Sequence, residues 1–255
     1  MSKAGDALLN VTNISHRFGG LQVLNGVNFD VPAGSLTGLI GPNGAGKSTL
    51  FNIVGGFLFP QRGTVSLDGR DITRESVQAR SRSGLVRTFQ TPKVFAKLSV
   101  RENLMIGGYR HLASGAVSNM LRSRRSRNEM DTMHAQATEA AERFGLHEVL
   151  DRAAGTVTAG MQRMVELARA WVSRPRLLML DEPSSGLNTA EIAGLRNMLL
   201  RLNQEGMTIL LVSHDMSLVD VAGQVHVLCF GSIIASGEMA QIKKDERVRQ
   251  AYLGV

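Results

Sequence analysis

Residues 41–49 constrain the fold of this chain more than any other feature. They read Gly-Pro-Asn-Gly-Ala-Gly-Lys-Ser-Thr and match the phosphate-binding pattern G-x-x-x-x-G-K-[ST]. The glycines let backbone N–H groups turn inward around an anion. In this pattern Lys47 is expected to reach the outer phosphates, and Ser48 is expected to ligate Mg²⁺. The predicted nucleotide-binding residues are Gly41, Pro42, Asn43, Gly44, Ala45, Gly46, Lys47, Ser48 and Thr49.

The segments on both sides of this loop support that interpretation. Residues 35–40 are typical of a short buried strand, and residues 49–54 of an apolar helix. Such a helix directs the positive end of its dipole at a bound phosphate. A glycine-rich surface turn is the alternative, which the position of Gly-Lys-Ser between a strand and a helix disfavours. We therefore expect the chain to bind a nucleoside triphosphate.

Composition narrows the class of protein. No apolar run approaches the roughly 20 residues of a membrane span. The N-terminal residues lack the basic and apolar segments of a secretion signal, so a cytosolic location is expected. The chain has one cysteine, Cys229, which excludes disulfide and zinc architectures and is expected to be a buried structural thiol.

The net charge of +7 admits nucleic acid, an anionic membrane surface or an acidic protein as a partner. Residues 110–127 contain five arginines and no acidic residue. The arginines at 122–127 form either a solvated face or a surface that approaches anionic lipid headgroups, and the solvated face is favoured.

Strands alternate with helices along most of the chain, which implies a mostly parallel sheet covered on both faces. Two strands at 8–17 and 23–31 precede the phosphate-binding loop. Residues 100–153 are instead helical and charged, with the clearest helix at 129–144. We predict an α/β fold with a mostly parallel sheet core, an N-terminal antiparallel β part and a helical insertion. The expected organisation is a single domain, 1–255, with a helical subdomain at about 92–175.

A second motif follows a predicted strand at 176–180. Four apolar residues there precede the adjacent carboxylates of Asp181 and Glu182. Ligands in open α/β sheets collect at such strand ends. Asp181 is expected to hold Mg²⁺, directly or through water, and Glu182 to polarise the attacking water. An ordinary polar loop is the alternative, and the nearby phosphate-binding loop disfavours it.

With these motifs in this order, the chain resembles the ATPase subunits of ABC transporters over essentially its whole length. The resemblance implies a P-loop NTPase fold of the ABC ATPase type, Mg²⁺-dependent ATP hydrolysis, and ATP and Mg²⁺ as cofactors. Gln90 matches the family's Q-loop glutamine, near Mg²⁺ and the attacking water, and His214 its switch histidine at the γ-phosphate. Phe18 matches the aromatic residue that stacks on adenine, and residues 184–188 match the D-loop. The implied metal ligands are Ser48, Gln90 and Asp181.

One element departs from the family pattern. The signature, Leu-Ser-Gly-Gly-Gln in the family, reads Val-Thr-Ala-Gly-Met at residues 157–161. Thr158 retains a hydroxyl and Gly160 permits close approach to a phosphate, whereas Met161 lacks the amide. We interpret this as a weakened signature with usable backbone N–H groups. The residues expected to face a partner's ATP are Thr158, Ala159, Gly160 and Met161.

ATPases of this family form head-to-tail dimers, with each ATP between one subunit's phosphate-binding loop and the other's signature. The resemblance therefore implies a second ABC ATPase subunit. The altered signature favours a heterodimer with unequal sites, and a homodimer is the alternative. Integral membrane permease subunits, an indirectly associated substrate-binding protein and a peripheral position on the cytoplasmic face of the plasma membrane are also implied.

Several further segments resemble the larger ATPase subunit of branched-chain amino-acid uptake systems. They are residues 17–20, 86–90, 214–216 and 251–254. Members of this subgroup also serve urea, amides and other small metabolites. A soluble ABC ATPase acting on nucleic acid or ribosomes is the alternative function. The chain has one cassette, no heptad repeat and no aromatic-interleaved basic stretch, so no nucleic-acid partner is expected.

Residues 91–100 are the expected docking segment for a coupling helix of the permease. Phe95 and Leu98 offer apolar side chains there. The sequence leaves open whether these two residues form that surface or belong to the core.

Overall fold

The structure, a computed structural model, describes residues 7–109 and 124–253, without the side chains of 124–127 and 253. Arg122 and the side chains of Arg124, Arg125 and Arg127 therefore lie outside the described residues. The chain divides into two compact units. The first comprises Met1–Gln90, Arg176–Ser185 and Ile192–Val255, and the second comprises Thr91–Pro175 and Gly186–Glu191.

The first unit contains an antiparallel sheet of four strands in the order β2-β1-β4-β5. The strands are β1 (Ala7–Phe18), β2 (Leu21–Pro32), β4 (Arg62–Leu67) and β5 (Arg70–Asp71). Leu9, Val11 and Ile14 of β1 are buried, while much of the strand's remaining surface is polar. This pattern fits a sheet with one face on the core.

A second sheet in the same unit has six strands in the order β10-β9-β3-β8-β7-β6. They are β3 (Leu36–Ile40), β6 (Leu85–Arg87), β7 (Leu177–Asp181), β8 (Thr208–Val212), β9 (Gln224–Cys229) and β10 (Ser232–Gly237). All neighbours are parallel except β9 and β10. β3 and β8 are buried along their whole length, as a sheet covered on both faces requires. The predicted α/β fold with a mostly parallel core is confirmed.

This parallel arrangement positions the candidate site. The carboxyl ends of β3, β6, β7 and β8 meet at one edge of the sheet. The phosphate-binding loop follows β3, Gln90 lies shortly after β6, and His214 follows β8. Asp181 is the last residue of β7. Residues far apart in the sequence therefore come together.

Nine α-helices lie within the described residues. They are α1 (Lys47–Gly55), α2 (Val77–Arg82), α3 (Val100–Gly108), α4 (Arg124–Arg143), α5 (Ala159–Val172), α6 (Thr189–Gln204), α7 (Met216–Val219), α8 (Met239–Ile242) and α9 (Glu246–Leu253). α2 was not predicted, and the tail predicted as one helical stretch contains α8 and α9.

Cys229 is buried, which confirms the structural thiol. Among the residues that the structure describes, no helix is both long and apolar enough to span a bilayer.

The second unit contains α3, α4 and α5, with short 3-10 turns at His147–Val149 and Ala154–Thr156. A capping box starts α3, because Ser99 Oγ accepts from the Glu102 N–H while the Glu102 carboxylate accepts from the Ser99 N–H. In the docking segment Phe95 is 51% exposed and Leu98 is half-buried. Phe95 is therefore a surface residue of this unit and not part of its core.

His226, buried in β9, is expected to make stability depend on pH. Its Nε2 lies 3.1 Å from the Asp30 carbonyl oxygen, and its Nδ1 lies 2.8 Å from Ser236 Oγ. Burial lowers the pKa of His226 from its ordinary value of 6.5, and the contact with Asp30 only partly opposes this. The unfolded chain therefore binds a proton more readily than the folded one, so stability falls as pH drops through 6.5 towards the lower folded pKa.

Melting temperatures at pH 7.5 and 5.5 test this prediction, with pH values chosen at about one unit on each side of the ordinary histidine pKa. The drop in melting temperature should be smaller in His226→Gln than in the unchanged protein. The exposed His147 supplies the control, because His147→Gln should keep the full drop. An equal drop in all three proteins would contradict the prediction.

Candidate active site

A pocket of about 450 Å³ opens where the four parallel strands end. Its lining residues are Val23, Asn43, Gly44, Ala45, Gly46, Lys47, Ser48, Thr49, Gln90, Asp181, Glu182 and His214. This volume falls within the range of small-molecule sites. The pocket brings together most of the phosphate-binding loop with the two carboxylates, the predicted Q-loop glutamine and the predicted switch histidine. Val23 also lines it, although no sequence motif marks this residue.

The loop conformation depends on Gly46, which precedes α1 and has a φ of +103°. A Cβ at this position would lie 2.9 Å from the Val23 carbonyl oxygen, so a larger residue would be strained by its φ and crowded by its neighbour. α1 begins at Lys47 and has no acidic residue in its first turn. The N–H groups of that turn and the helix dipole therefore favour an anion in the pocket.

Lys47 is held over the loop by two backbone carbonyl groups. Its Nζ donates to Gly41 O at 2.7 Å and to Pro42 O at 3.0 Å. Burial lowers the pKa of Lys47, and the negative charges of Glu182 and Asp181 oppose that shift. Gly41 and Pro42 thus bind the Lys47 ammonium through their carbonyl groups. They are not among the described residues that line the pocket. A partly desolvated ammonium group attracts phosphate more strongly than one in open water.

Glu182 has an unusual backbone conformation for a residue that is not glycine. Its φ is +47°, in the left-handed region, and its side chain is 15% exposed. Carboxylate Oε2 accepts from the His214 backbone N–H at 3.1 Å and lies 2.7 Å from His214 Nδ1. Strained conformations of this kind cluster at functional sites. The contacts with His214 therefore hold the carboxylate through Oε2.

Asp181 precedes Glu182 in the sequence and is bound by a side chain of the neighbouring strand, β6. Arg87 Nη2 donates to Asp181 Oδ2 at 2.7 Å, and both side chains are largely buried. Arg87 lies in residues 86–90, one of the segments on which the family resemblance rests, but no motif assigns it a role. Its position as a charged residue at the end of a strand, close to Gln90, is the sequence signal that could have indicated a role in the site.

Phe18 is not among the described residues that line the pocket. It ends β1, is 52% exposed, and makes an edge contact with His16 at a centroid distance of 4.7 Å. The ring is therefore available for stacking, but the structure does not bring it together with the phosphate-binding loop.

The predicted signature forms the start of α5 in the second unit. Thr158 is the N-cap residue, and its Oγ1 accepts from the Met161 N–H at 3.2 Å. Gly160 is buried, and a Cβ there would collide with the Glu191 carboxylate. The signature thus forms a helix N-terminus in which residue 160 lies against the Glu191 side chain. The contact with Glu191 was missed, because it joins residues that no sequence motif relates.

Comparison with known proteins gives consistent matches. The ABC transporter family model matches residues 24–185, and the model described as branched-chain amino acid ATP-binding cassette transporter matches residues 232–255. The high-affinity branched-chain amino acid transport ATP-binding protein BraF of Pseudomonas aeruginosa is 38% identical, over 97% of this chain and 98% of BraF. The protein of the same description from Escherichia coli K12, LivG, is 39% identical, with the same shares covered.

Solved structures show the same relationship. A nucleotide-free ATP-binding cassette from an ABC transporter superposes with a TM-score of 0.83 at 32% identity, covering 98% of this chain and all of the other. The ADP conformation of an ATP-binding cassette of an ABC transporter has the same TM-score and identity, covering 98% of this chain and 99% of the other.

Proposed function

Because this chain belongs to the ABC transporter ATPase family, we propose that its pocket is the catalytic half of an ATP site in a branched-chain amino-acid importer. The predicted family and ATPase activity are confirmed by the family model and by the relatives. The observation that carries the proposal is the pocket itself, in which the phosphate-binding loop faces the carboxylates of Asp181 and Glu182. The names of the relatives support branched-chain amino acids or related small metabolites as the cargo.

The phosphate-binding residues are assigned first. The backbone N–H groups of residues 43–49 and the ammonium of Lys47 bind the phosphates, and Gly41 and Pro42 hold Lys47 in place. The donors present fit Mg²⁺, a cation that prefers oxygen ligands, because Ser48, Gln90 and Asp181 all line the pocket with oxygen-bearing side chains. When bound, Mg²⁺ neutralises charge on the phosphate oxygens.

Glu182 is the proposed general base. Its Oε2 is engaged by His214, so Oε1 is the oxygen that accepts a proton from the attacking water. His214 keeps the carboxylate oriented and offers its ring to the γ-phosphate. Gln90, which follows β6, completes the lining of the site, where it would orient the water and help to hold Mg²⁺.

A second ABC ATPase subunit is the proposed partner at this site. Thr158, Ala159, Gly160 and Met161 are assigned to the partner's nucleotide, and the partner's signature to this chain's nucleotide. The helix N-terminus that Thr158 caps supports binding of a phosphate there. The loss of the signature amide at Met161 favours unequal sites and a heterodimer over a homodimer.

Permease subunits complete the proposed assembly, with a substrate-binding protein associated indirectly. The exposed ring of Phe95 supports docking of a coupling helix on residues 91–100. The chain is then peripheral, on the cytoplasmic face of the plasma membrane. We assign residues 1–255 to one ABC ATPase domain with a helical subdomain at about 92–175, which the compact second unit supports.

Stacking of adenine on Phe18 gives a specific prediction. Phe18→Ala should weaken ATP binding by about 1 kcal/mol or more, at least about fivefold, because a base loses its aromatic contact. Phe18→Tyr should retain most of the affinity, and Phe59→Ala, which removes another exposed ring, should retain all of it. Fluorescence titration with an ATP analogue measures the three affinities, and unchanged binding by Phe18→Ala would contradict the assignment.

Purification of the tagged chain from gently solubilised membranes tests the proposed function. We expect integral membrane permease subunits and a second ATPase to be retained, and ATP-driven uptake of a branched-chain amino acid after reconstitution. Retention of ribosomes or nucleic acid, with no membrane subunit, would contradict the proposal and favour a soluble ABC ATPase.

A further inference from the structure

Arg87, the last residue of β6, is held between the helix that follows the phosphate-binding loop and the end of β7. Its Nη1 donates to Asn52 Oδ1 at 2.7 Å, and its Nη2 donates to Asp181 Oδ2 at 2.7 Å. The Arg87 side chain is 9% exposed and that of Asp181 is 14% exposed. Both contacts are therefore made largely away from water, where charge-assisted hydrogen bonds are strong.

Three aromatic rings surround the same guanidinium group. The Arg87 Cζ atom lies 4.9 Å from the ring centroid of Phe51, 5.2 Å from that of Phe57 and 5.5 Å from that of Phe89. All three distances are within the range of cation–π attraction. The arginine is thus held by its aromatic surroundings as well as by its hydrogen bonds, which include a longer one from Nη1 to Phe51 O at 3.5 Å, and this restricts its orientation.

The geometry of arginine explains why one residue can serve both partners. A guanidinium group is planar, so the donors to Asn52 and Asp181 have a fixed separation and direction. The contact therefore links α1, which starts in the phosphate-binding loop, to the carboxylate at the end of β7. A lysine at position 87 would supply the charge but not this fork.

We propose that Arg87 is a positioning residue for Asp181. It binds Oδ2 of the carboxylate, fixes its rotation relative to the phosphate-binding loop, and leaves Oδ1 available to the metal. This inference rests on the proposed function, in which Asp181 holds Mg²⁺. Mg²⁺ requires near-ideal octahedral geometry, so a carboxylate free to rotate would hold it less well. Neighbours that orient a metal ligand contribute to metal affinity without touching the metal.

The test compares the affinity of the full-length chain for a fluorescent ATP analogue in Mg²⁺ and in EDTA. Arg87→Gln should reduce the gain in affinity that Mg²⁺ provides by about 10-fold, with the affinity in EDTA unchanged. Arg87→Lys should show most of the same loss, because it lacks the fork. Arg247→Gln removes an exposed arginine paired with Asp245 and should retain the full gain.

A double-substitution cycle with Asp181→Asn tests whether Arg87 acts through the carboxylate. In the Asp181→Asn background, Arg87→Gln should cause no further loss. Additive losses, an equal loss in EDTA, or full recovery in Arg87→Lys would each overturn the proposal. If Asp181→Asn alone leaves the Mg²⁺-dependent gain intact, the metal role of Asp181 is wrong as well, which separates failure of the proposed function from failure of this inference.

Discussion

Replacing Glu182 with glutamine is expected to lower ATP hydrolysis at this chain's site by at least about 100-fold, because the general base is removed. Glutamine has nearly the same shape and still offers an oxygen to the His214 backbone N–H, which Glu182 Oε2 now accepts at 3.1 Å. ATP binding should therefore remain close to that of the unchanged protein. Hydrolysis and binding are measured separately, by phosphate release and by titration with labelled ATP.

The control for this substitution is Glu148→Gln, which makes the same chemical change at a side chain that is 85% exposed. It should leave both hydrolysis and binding unchanged. Hydrolysis by Glu182→Gln within about threefold of the unchanged protein would contradict the role of Glu182 as base, since positioned bases contribute at least about 100-fold.

Replacing Arg80 with methionine is expected to destabilise the protein by about 3 kcal/mol or more, since each buried acceptor left without its donor costs about 1–3 kcal/mol. Arg80 lies in α2 and is fully buried. Its guanidinium donates to Ile53 O at 2.7 Å and Val54 O at 2.6 Å, two carbonyls in the last turn of α1, and to Thr73 O at 2.9 Å. Burial lowers its pKa to about 10, so the side chain still carries its charge at neutral pH.

The expected loss follows from the carbonyl groups that methionine would leave behind. Methionine fills a similar volume but donates no hydrogen bond, so Val54 O and Thr73 O would lose the Arg80 donor and Ile53 O would keep only the Gly56 N–H. Buried carbonyls that lose a donor are costly. Because these groups end α1, the substitution should also weaken ATP binding. Urea unfolding followed by circular dichroism measures the change. Arg82→Met, on an exposed position of the same helix, should shift stability by less than about 0.5 kcal/mol, and an equally small shift for Arg80→Met would contradict the prediction.

Elements with strong apolar patterns could be predicted from the sequence. The buried strands β3 and β8 and the apolar part of β7 follow from their apolar runs, and the altered signature does begin a helix. The first helix starts at Lys47 and not at residue 49, because the backbone of Gly46 completes the turn immediately before it. α2 was missed because its stability depends on contacts of Arg80 with distant carbonyls, although Ser76 provides an N-cap.

The candidate site was predictable where its residues belong to motifs. The sequence could not indicate that Arg87 binds Asp181, because the contact joins residues 94 positions apart. It depends on the pairing of β6 with β7, in which Leu85 lies opposite Leu177. Strand order of this kind follows from tertiary packing and not from local pattern. The same reason explains the unpredicted approach of Glu191 to Gly160.

Turnover of the assembled transporter, with one catalytic glutamate replaced at a time, tests whether this chain supplies the catalytic half of the stronger of two unequal ATP sites. Glu182→Gln in this chain should reduce ATP hydrolysis more than the equivalent change in the partner ATPase. Equal reductions from the two substitutions would contradict the claim.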